Sequence, residues 1–179
     1  MSRPRASSIE SPRLYLAAAT EALIRADLEG PAALAAGLGV APPEDWPPAL
    51  HSRPVLEAVA LQLRDRAEMG WHVWYLVGRE AHEGLVGVAG FEGRPDADGS
   101  VELAYSVLPA FQNRGYASEA VARLVQWAFS HQQVNRVTAE TLPHLANSIR
   151  VLQRNGFRAA GRGSEYGVVR YALERSRLS

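Results

Sequence analysis

The stretch that decides the fold is Val101-Glu102-Leu103-Ala104-Tyr105-Ser106-Val107-Leu108, followed by Pro109-Ala110-Phe111-Gln112-Asn113-Arg114-Gly115-Tyr116-Ala117-Ser118 and a helical run to Phe129. Its first part alternates. Val101, Leu103, Tyr105 and Val107 share one face, and Glu102, Ala104 and Ser106 the other, the period of a strand. Further on, Ala117, Ala120, Val121, Leu124, Val125 and Ala128 recur at helical spacing to about His131. A polar loop, Pro109 to Ala117, joins the two. The start of such a helix offers unpaired N–H groups and a positive dipole end, a ready site for an anion. Gly115 and Ala117 are small enough for backbone amides to approach a pyrophosphate, while Arg114 adds charge and Ser118 a hydroxyl. The loop lacks the Gly-Lys-Ser/Thr ending of a Walker loop and the three-glycine spacing of a dinucleotide fingerprint. Taken alone, it reads equally as an ordinary strand–loop–helix turn containing a glycine.

Outward from this segment, Trp71 to Val77 and Leu85 to Phe91 are aromatic and β-branched runs, and they predict strands. Turns at Arg79 to Gly84 and Gly93 to Gly99 would make them an antiparallel meander with Val101 to Leu108. Upstream, residues 1–12 read as a mobile polar tail and Arg13 to Ala18 as a first strand. Thr20 is placed to cap a helix through Glu21, Ala22, Leu23 and Ile24 that ends at Gly30-Pro31. A second helix, Ala32 to Ala36, is closed by Gly37 and Gly39. Pro42, Pro43, Pro47 and Pro48 flank Trp46 in a rigid loop. Pro54 to Met69 has helical spacing. Downstream, Arg136 to Thr141 predicts a strand and Ser148 to Asn155 a helix ending at Gly156. Phe157 to Gly161 is a further strand candidate, and Val168 to Leu173 a final strand. The expectation is one α+β domain over residues 13–179, with a mixed, mostly antiparallel sheet of about six to seven strands flanked by helices.

Composition narrows the chemistry. The 179 residues suit a single domain, and hydrophobic (47%) and charged (21%) fractions are those of an ordinary globular protein. A formal net charge of +0 gives no field to draw the chain to nucleic acid or anionic lipid. The basic side chains are all arginine. With Cys at zero there is no disulfide, no thiolate nucleophile and no cysteine-ligated zinc. The five histidines, His51, His72, His82, His131 and His144, show no metal-ligand spacing, so no metal is expected. No apolar signal core and no membrane-length run occurs, so the expected location is the cytoplasm.

Three motifs in order then carry a resemblance over nearly the whole chain. Glu102-Leu103-Ala104-Tyr105-Ser106-Val107-Leu108 followed by Gln112-x-x-Gly115-x-Ala117 and Glu119-Ala120 resembles the GNAT family of N-acetyltransferases. The nearest branch is that of the ribosomal-protein N-terminal acetyltransferases. Ser148-Ile149-Arg150-Val151-Leu152 leading to Asn155-Gly156-Phe157 resembles that branch's second motif, and Pro12-Arg13-Leu14-x-Leu16 its first strand. The resemblance implies the family's fold and an acyl-CoA N-acyltransferase that moves acetyl from acetyl-CoA, as co-substrate, directly to a primary amine. Gln112, Asn113, Arg114, Gly115, Tyr116, Ala117 and Ser118 would hold the coenzyme, their amides on its pyrophosphate. Tyr105 to Leu108 would part from the neighbouring strand and pair with the pantetheine arm. A backbone N–H near Val107 or Leu108 would then polarise the thioester carbonyl. The acceptor is left open between a protein N-terminus and a small-molecule amine, and the assembly between monomer and homodimer. A non-catalytic acyl-CoA sensor or interaction domain is the alternative.

Two side chains are candidates for proton chemistry. Glu102, on a strand beside small residues, is the candidate general base, its alternative being an exposed or salt-bridged carboxylate. Three strand residues span roughly 10 Å, so Glu102 would work through a water. Many relatives carry a tyrosine in the second-motif helix to meet the departing thiolate; Leu152 stands there instead. Ser148 is the branch's other choice for this role, and a helix N-cap is its alternative. Relatives often place an asparagine three residues before this serine on the pantetheine arm. Here that position is Leu145, and Asn147 lies adjacent. Among the aromatics, Tyr166 either reaches the cleft or packs on the sheet. Trp46 is a candidate for the substrate side, with Trp71 and Trp74 read as core.

Overall fold

The computed structural model describes residues 7–80 and 82–177. Eight strands form one sheet: β1 (Ser8–Glu10), β2 (Leu14–Ala18), β3 (Val73–Gly78), β4 (Leu85–Phe91), β5 (Ser100–Val107), β6 (Arg136–Thr141), β7 (Arg158–Arg162) and β8 (Val169–Glu174). Their order across the sheet is β1-β2-β3-β4-β5-β6-β8-β7. Every neighbouring pair is antiparallel except β5 and β6, which run parallel. Five helices join them: α1 (Glu21–Glu29), α2 (Pro31–Leu38), α3 (Arg53–Gln62), α4 (Tyr116–Phe129) and α5 (Ala146–Arg154). A parallel pair needs a crossover, and α4, 14 residues long, makes it.

The strand count exceeds the expected six to seven because Ser8–Glu10, read as part of a mobile tail, pairs with Tyr15 to Ala17 of β2. A turn in which the N–H of Ser11 donates to the carbonyl of Leu14 folds this segment back onto the sheet edge. Residues 1–6 of the expected tail lie outside the described residues. The long helix expected to reach Met69 stops at Gln62. Asp65 then accepts from the N–H of Ala67 at 2.9 Å and starts a separate turn at Arg66–Glu68, a local bond that competes with helix continuation. Gly37 sits inside α2 rather than closing it; the helix ends at Gly39, whose φ of 70° is left-handed.

The sheet separates two apolar layers. On one face α4 and α5 bury Val121, Leu124, Val125 and Leu152 against Leu16, Trp74, Leu76, Val101, Leu103, Val137 and Leu173. On the other, α1 to α3 bury Leu23, Ile24, Leu34, Leu56 and Val59 against Tyr75, Val77 and Val88. Trp71 and Trp74 belong to the first layer, as their surroundings in the sequence predict. Trp46 donates its indole N–H to Asp27 at 2.7 Å, and Asp27 also meets Tyr75 and His51; this buried knot ties α1 to β3.

Candidate active site

The central feature of the sheet is an incomplete ladder. β5 and β6 pair only from Ser100 to Glu102 against Arg136 to Thr138. Beyond that point β5 stays on β4 and β6 stays on β8, so the two parallel strands part. The N–H of Glu92 donates to the carbonyl of Glu102 (3.0 Å), and that of Leu108 to the carbonyl of Val86 (2.9 Å). Alternation therefore turns the backbone groups of Leu103, Tyr105 and Val107 toward the gap. An extended chain can lie there and pair with this edge.

Of the residues at the end of β5, Leu108 leaves the candidate set. Its N–H is taken by Val86 and its carbonyl accepts from Phe111 at 2.9 Å. Val107 remains: its N–H faces the gap, and its carbonyl is held by the side-chain amide of Gln112 at 3.0 Å. Gln112 thus fixes the last turn of β5 rather than standing free for a ligand.

At the mouth of the gap lies the loop 112–118. Gly115 is the N-cap of α4 with φ 82°, a left-handed conformation that a side chain rarely adopts. Asn113 is also left-handed, at φ 60°. The backbone N–H groups of Tyr116, Ala117 and Ser118 find no acceptor among the described residues, while that of Glu119 already donates to Gly115. A row of amides at a positive dipole end suits a pyrophosphate. These residues fit the phosphate portion of coenzyme A.

The loop is propped from below. Arg13 donates through Nη1 to the carbonyl of Arg114 (2.8 Å) and through Nε to Glu119 (2.8 Å), with its guanidinium over the Tyr116 ring. Tyr116 itself is buried and its hydroxyl donates to Glu83, so only its backbone faces the loop; the side chain is not a coenzyme contact. That hydrogen bond, with burial, pushes the phenol up from its ordinary pKa. The amide of Asn155 donates to both the carbonyl and the hydroxyl of Ser118 at 3.2 Å, joining the end of α5 to the start of α4. Asn147 donates to Asn113 at 3.2 Å, which brings two predicted coenzyme residues together on the exposed rim. Arg114 is exposed beside Phe111.

Ser148 is not an N-cap. The helix begins two residues earlier, at Ala146, with Leu145 as its cap residue. The hydroxyl of Tyr105 reaches Ser148 across the gap and lies 3.1 Å from both its Oγ and its carbonyl oxygen. Burial pushes the Tyr105 phenol up, and the bond to Ser148 offsets part of that. Leu152, at the place where relatives were expected to carry a tyrosine, is fully buried under the sheet. His144 is exposed.

On the opposite face, Glu102 lines a polar cavity of about 650 Å³ together with Glu92, Thr138 and Arg170. Burial raises its pKa above the ordinary carboxylate value, and the charges of Glu92 and Glu140 add to this against the opposing Arg170. Glu140 behaves in the opposite sense. Burial would raise it, but hydrogen bonds from Ser164 (2.7 and 2.8 Å) and from Arg170 (2.6 and 3.0 Å) outweigh that and hold it low. Two neighbouring carboxylates are thereby set apart: Glu140 is locked in an ion pair, and Glu102 is a weaker acid with no ion-pair partner among the described residues. Tyr166, on the same hairpin as Ser164, is fully exposed and packs on nothing.

The sequence reading missed Arg13, Asn155, Glu92, Glu140 and Arg170 as parts of this site. Alternation along β4 would have placed Glu92 on the Glu102 face. The others act across long stretches of chain that no local pattern joins.

The family model described as "Acetyltransferase (GNAT) domain" matches residues 23–158. The chain is 27% identical over 122 residues to YjdG of Bacillus subtilis, an uncharacterised N-acetyltransferase, covering 68% of this chain and 72% of that one. It is 28% identical over 88 residues to YoaA of the same organism, an uncharacterised N-acetyltransferase, covering 49% of each. Among solved structures it resembles RimL, a ribosomal alpha-N-protein acetyltransferase in complex with coenzyme A, with a TM-score of 0.66, 21% identity, and 94% and 98% of the two chains covered. RimJ of Mycobacterium smegmatis, in complex with CoA-disulfide, superposes with a TM-score of 0.62 at 19% identity over 92% and 83% of the chains. At these identities the structural likeness is one of fold.

Proposed function

Because the chain belongs to the GNAT acetyltransferase family and is an N-acetyltransferase, we propose that it binds acetyl-CoA between β5 and β6 and acetylates a primary amine presented on the opposite face of the sheet. The observation that carries this reading is the parting of β5 from β6, with a helix N-terminus at one end and Glu102 on the other face. Acetyl-CoA supplies the activated acetyl group. The amides of Tyr116, Ala117 and Ser118 hold its pyrophosphate, and the edge of Leu103, Tyr105 and Val107 pairs with the pantetheine arm. The Val107 N–H donates to the thioester carbonyl oxygen, where negative charge develops during attack.

The acceptor arrives largely as an ammonium ion and must lose a proton before it attacks. Glu102 takes that proton through a water. Its raised pKa brings it nearer the operating pH, which suits a general base. The Ser148 hydroxyl donates a hydrogen bond to the sulfur as the C–S bond breaks and the electron pair leaves with it. The cavity at Glu102 and Glu92 has room for a small amine or for the first residues of a peptide. The structural relative RimL, an alpha-N-protein acetyltransferase, favours a protein N-terminus as the first acceptor to try.

The test is release of free thiol from acetyl-CoA in the presence of peptide N-termini and small amines. Acetyl transfer to one acceptor class, lost in Glu102→Gln with coenzyme binding intact, supports the reading. Thiol release that never depends on an amine would overturn it.

A further inference from the structure

The contact between Tyr105 and Ser148 is a polar bridge across the gap where β5 and β6 part, and its geometry offers the phenol two acceptors for one proton. The phenol oxygen lies 3.1 Å from the carbonyl oxygen of Ser148 and 3.1 Å from its Oγ. A phenol has one proton to give, and a carbonyl can only accept. With the phenol donating to the carbonyl, the serine hydroxyl can satisfy the phenol oxygen by donating back, and its own proton is spent. With the phenol donating to Oγ, the serine proton is released to point elsewhere.

We propose that Tyr105 is a positioning residue for acetyl transfer: its O–H moves from the carbonyl of Ser148 to Oγ of Ser148 and so turns the serine O–H onto the departing sulfur. This rests on the reading of the cleft given above. No proton is transferred between the two hydroxyls. Tyr105 and Ser148 both remain neutral and the sulfur leaves with the C–S electron pair. The proton shed by the ammonium before attack goes to Glu102, and the second, shed by nitrogen as the amide forms, passes through the Glu102 water to solvent. A phenol held neutral by burial keeps its proton available for this bond throughout the working pH range. The same arrangement supplies a donor where Leu152 cannot, since Leu152 is buried and apolar.

The test compares Tyr105→Phe, Ser148→Ala and the double variant. Tyr105→Phe keeps the ring, which packs against the main apolar layer, and thermal melts check that each variant folds. The first readout is the thiol pKa of coenzyme A bound to the protein, followed by thiolate absorbance in a pH titration. It should be lowest in the wild type, higher in Tyr105→Phe, whose serine hydroxyl is no longer oriented, and highest in Ser148→Ala and the double variant, which lack the donor. The second is acetyl transfer: Tyr105→Phe should lower kcat on the order of tenfold, the upper end for loss of one hydrogen bond. KM for acetyl-CoA and Kd for coenzyme A should hold. The double variant should be no slower than Ser148→Ala alone, and Ser148→Thr should keep the dependence on Tyr105. Effects of the two single variants that multiply, an unchanged thiol pKa in Tyr105→Phe, or weakened coenzyme binding in that variant would each overturn the proposal. A wild type that binds coenzyme A and transfers acetyl while Tyr105→Phe does so equally well refutes Tyr105 alone. A wild type that does neither refutes the cleft itself.

Discussion

Arg13 and Glu119 meet at two points: the backbone N–H of Arg13 donates to Oε1 at 2.7 Å and its Nε to Oε2 at 2.8 Å. Ser11 adds a third donor to the same carboxylate at 2.6 Å. The first turn of α4 is thereby pinned to the start of β2, and the remaining arm of Arg13 holds the carbonyl of Arg114. The loop at residues 112–118 is therefore braced from beneath as well as shaped by its own left-handed Asn113 and Gly115.

That clamp predicts a pH dependence. Burial would raise the pKa of Glu119, but the bonds from Ser11 and Arg13 outweigh burial and set it below the ordinary 4.5. A carboxylate lowered by folding stabilises the fold fully above its unfolded value, and that stability is lost as pH falls through the folded value. Urea midpoints of the wild type and Glu119→Gln should differ clearly at neutral pH. Below about pH 4.5 the difference should shrink. A constant difference across that range would mean that charge on Glu119 is irrelevant to the clamp.

Glu102 predicts a second pH effect, of catalytic origin. As the base it must be ionised, and its pKa is raised, so kcat/KM should fall on the acid side through a value above that of a free carboxylate. Glu102→Gln should lose about 100-fold to 1000-fold in kcat/KM, with the acid limb removed and coenzyme A affinity unchanged. An acid limb that survives in the variant would assign the titration to another group.

How much of this was legible in the sequence depends on the range of the interaction. The faces of β5 follow from alternation, and the loop between Gln112 and Ser118 from its small residues and the helix behind it. Both are local properties. The parting of β5 and β6 is not, because it depends on where β6 leaves β5 for β8. The burial of Tyr116 was equally hidden, since its partner Glu83 comes from another hairpin. A two-residue shift at the start of α5 moved Ser148 from a cap to an interior position facing Tyr105. Boundary errors of that size are ordinary, yet here one decides the chemistry of a hydroxyl.

Leu152 offers a negative prediction. Relatives were expected to carry a tyrosine at this place, but the side chain here is fully buried among apolar neighbours. Leu152→Tyr should overpack the core and cost about 1–3 kcal/mol, seen as a lower melting temperature. Acetyl transfer should not recover when the change is added to Ser148→Ala. Recovery would show that a phenol at residue 152 can reach the cleft after all.

The most direct test of the central claim is a calorimetric titration of the wild type and Gly115→Val with acetyl-CoA. Gly115 sits at φ 82°, and a Cβ there would lie 3.2 Å from Arg13, so a β-branched side chain must distort the loop that presents the amides. The account predicts one saturable site in the wild type and at least roughly tenfold weaker binding in the variant, in line with a left-handed strain of 1–2 kcal/mol. Equal affinity in the two proteins, or no binding by the wild type, would contradict it.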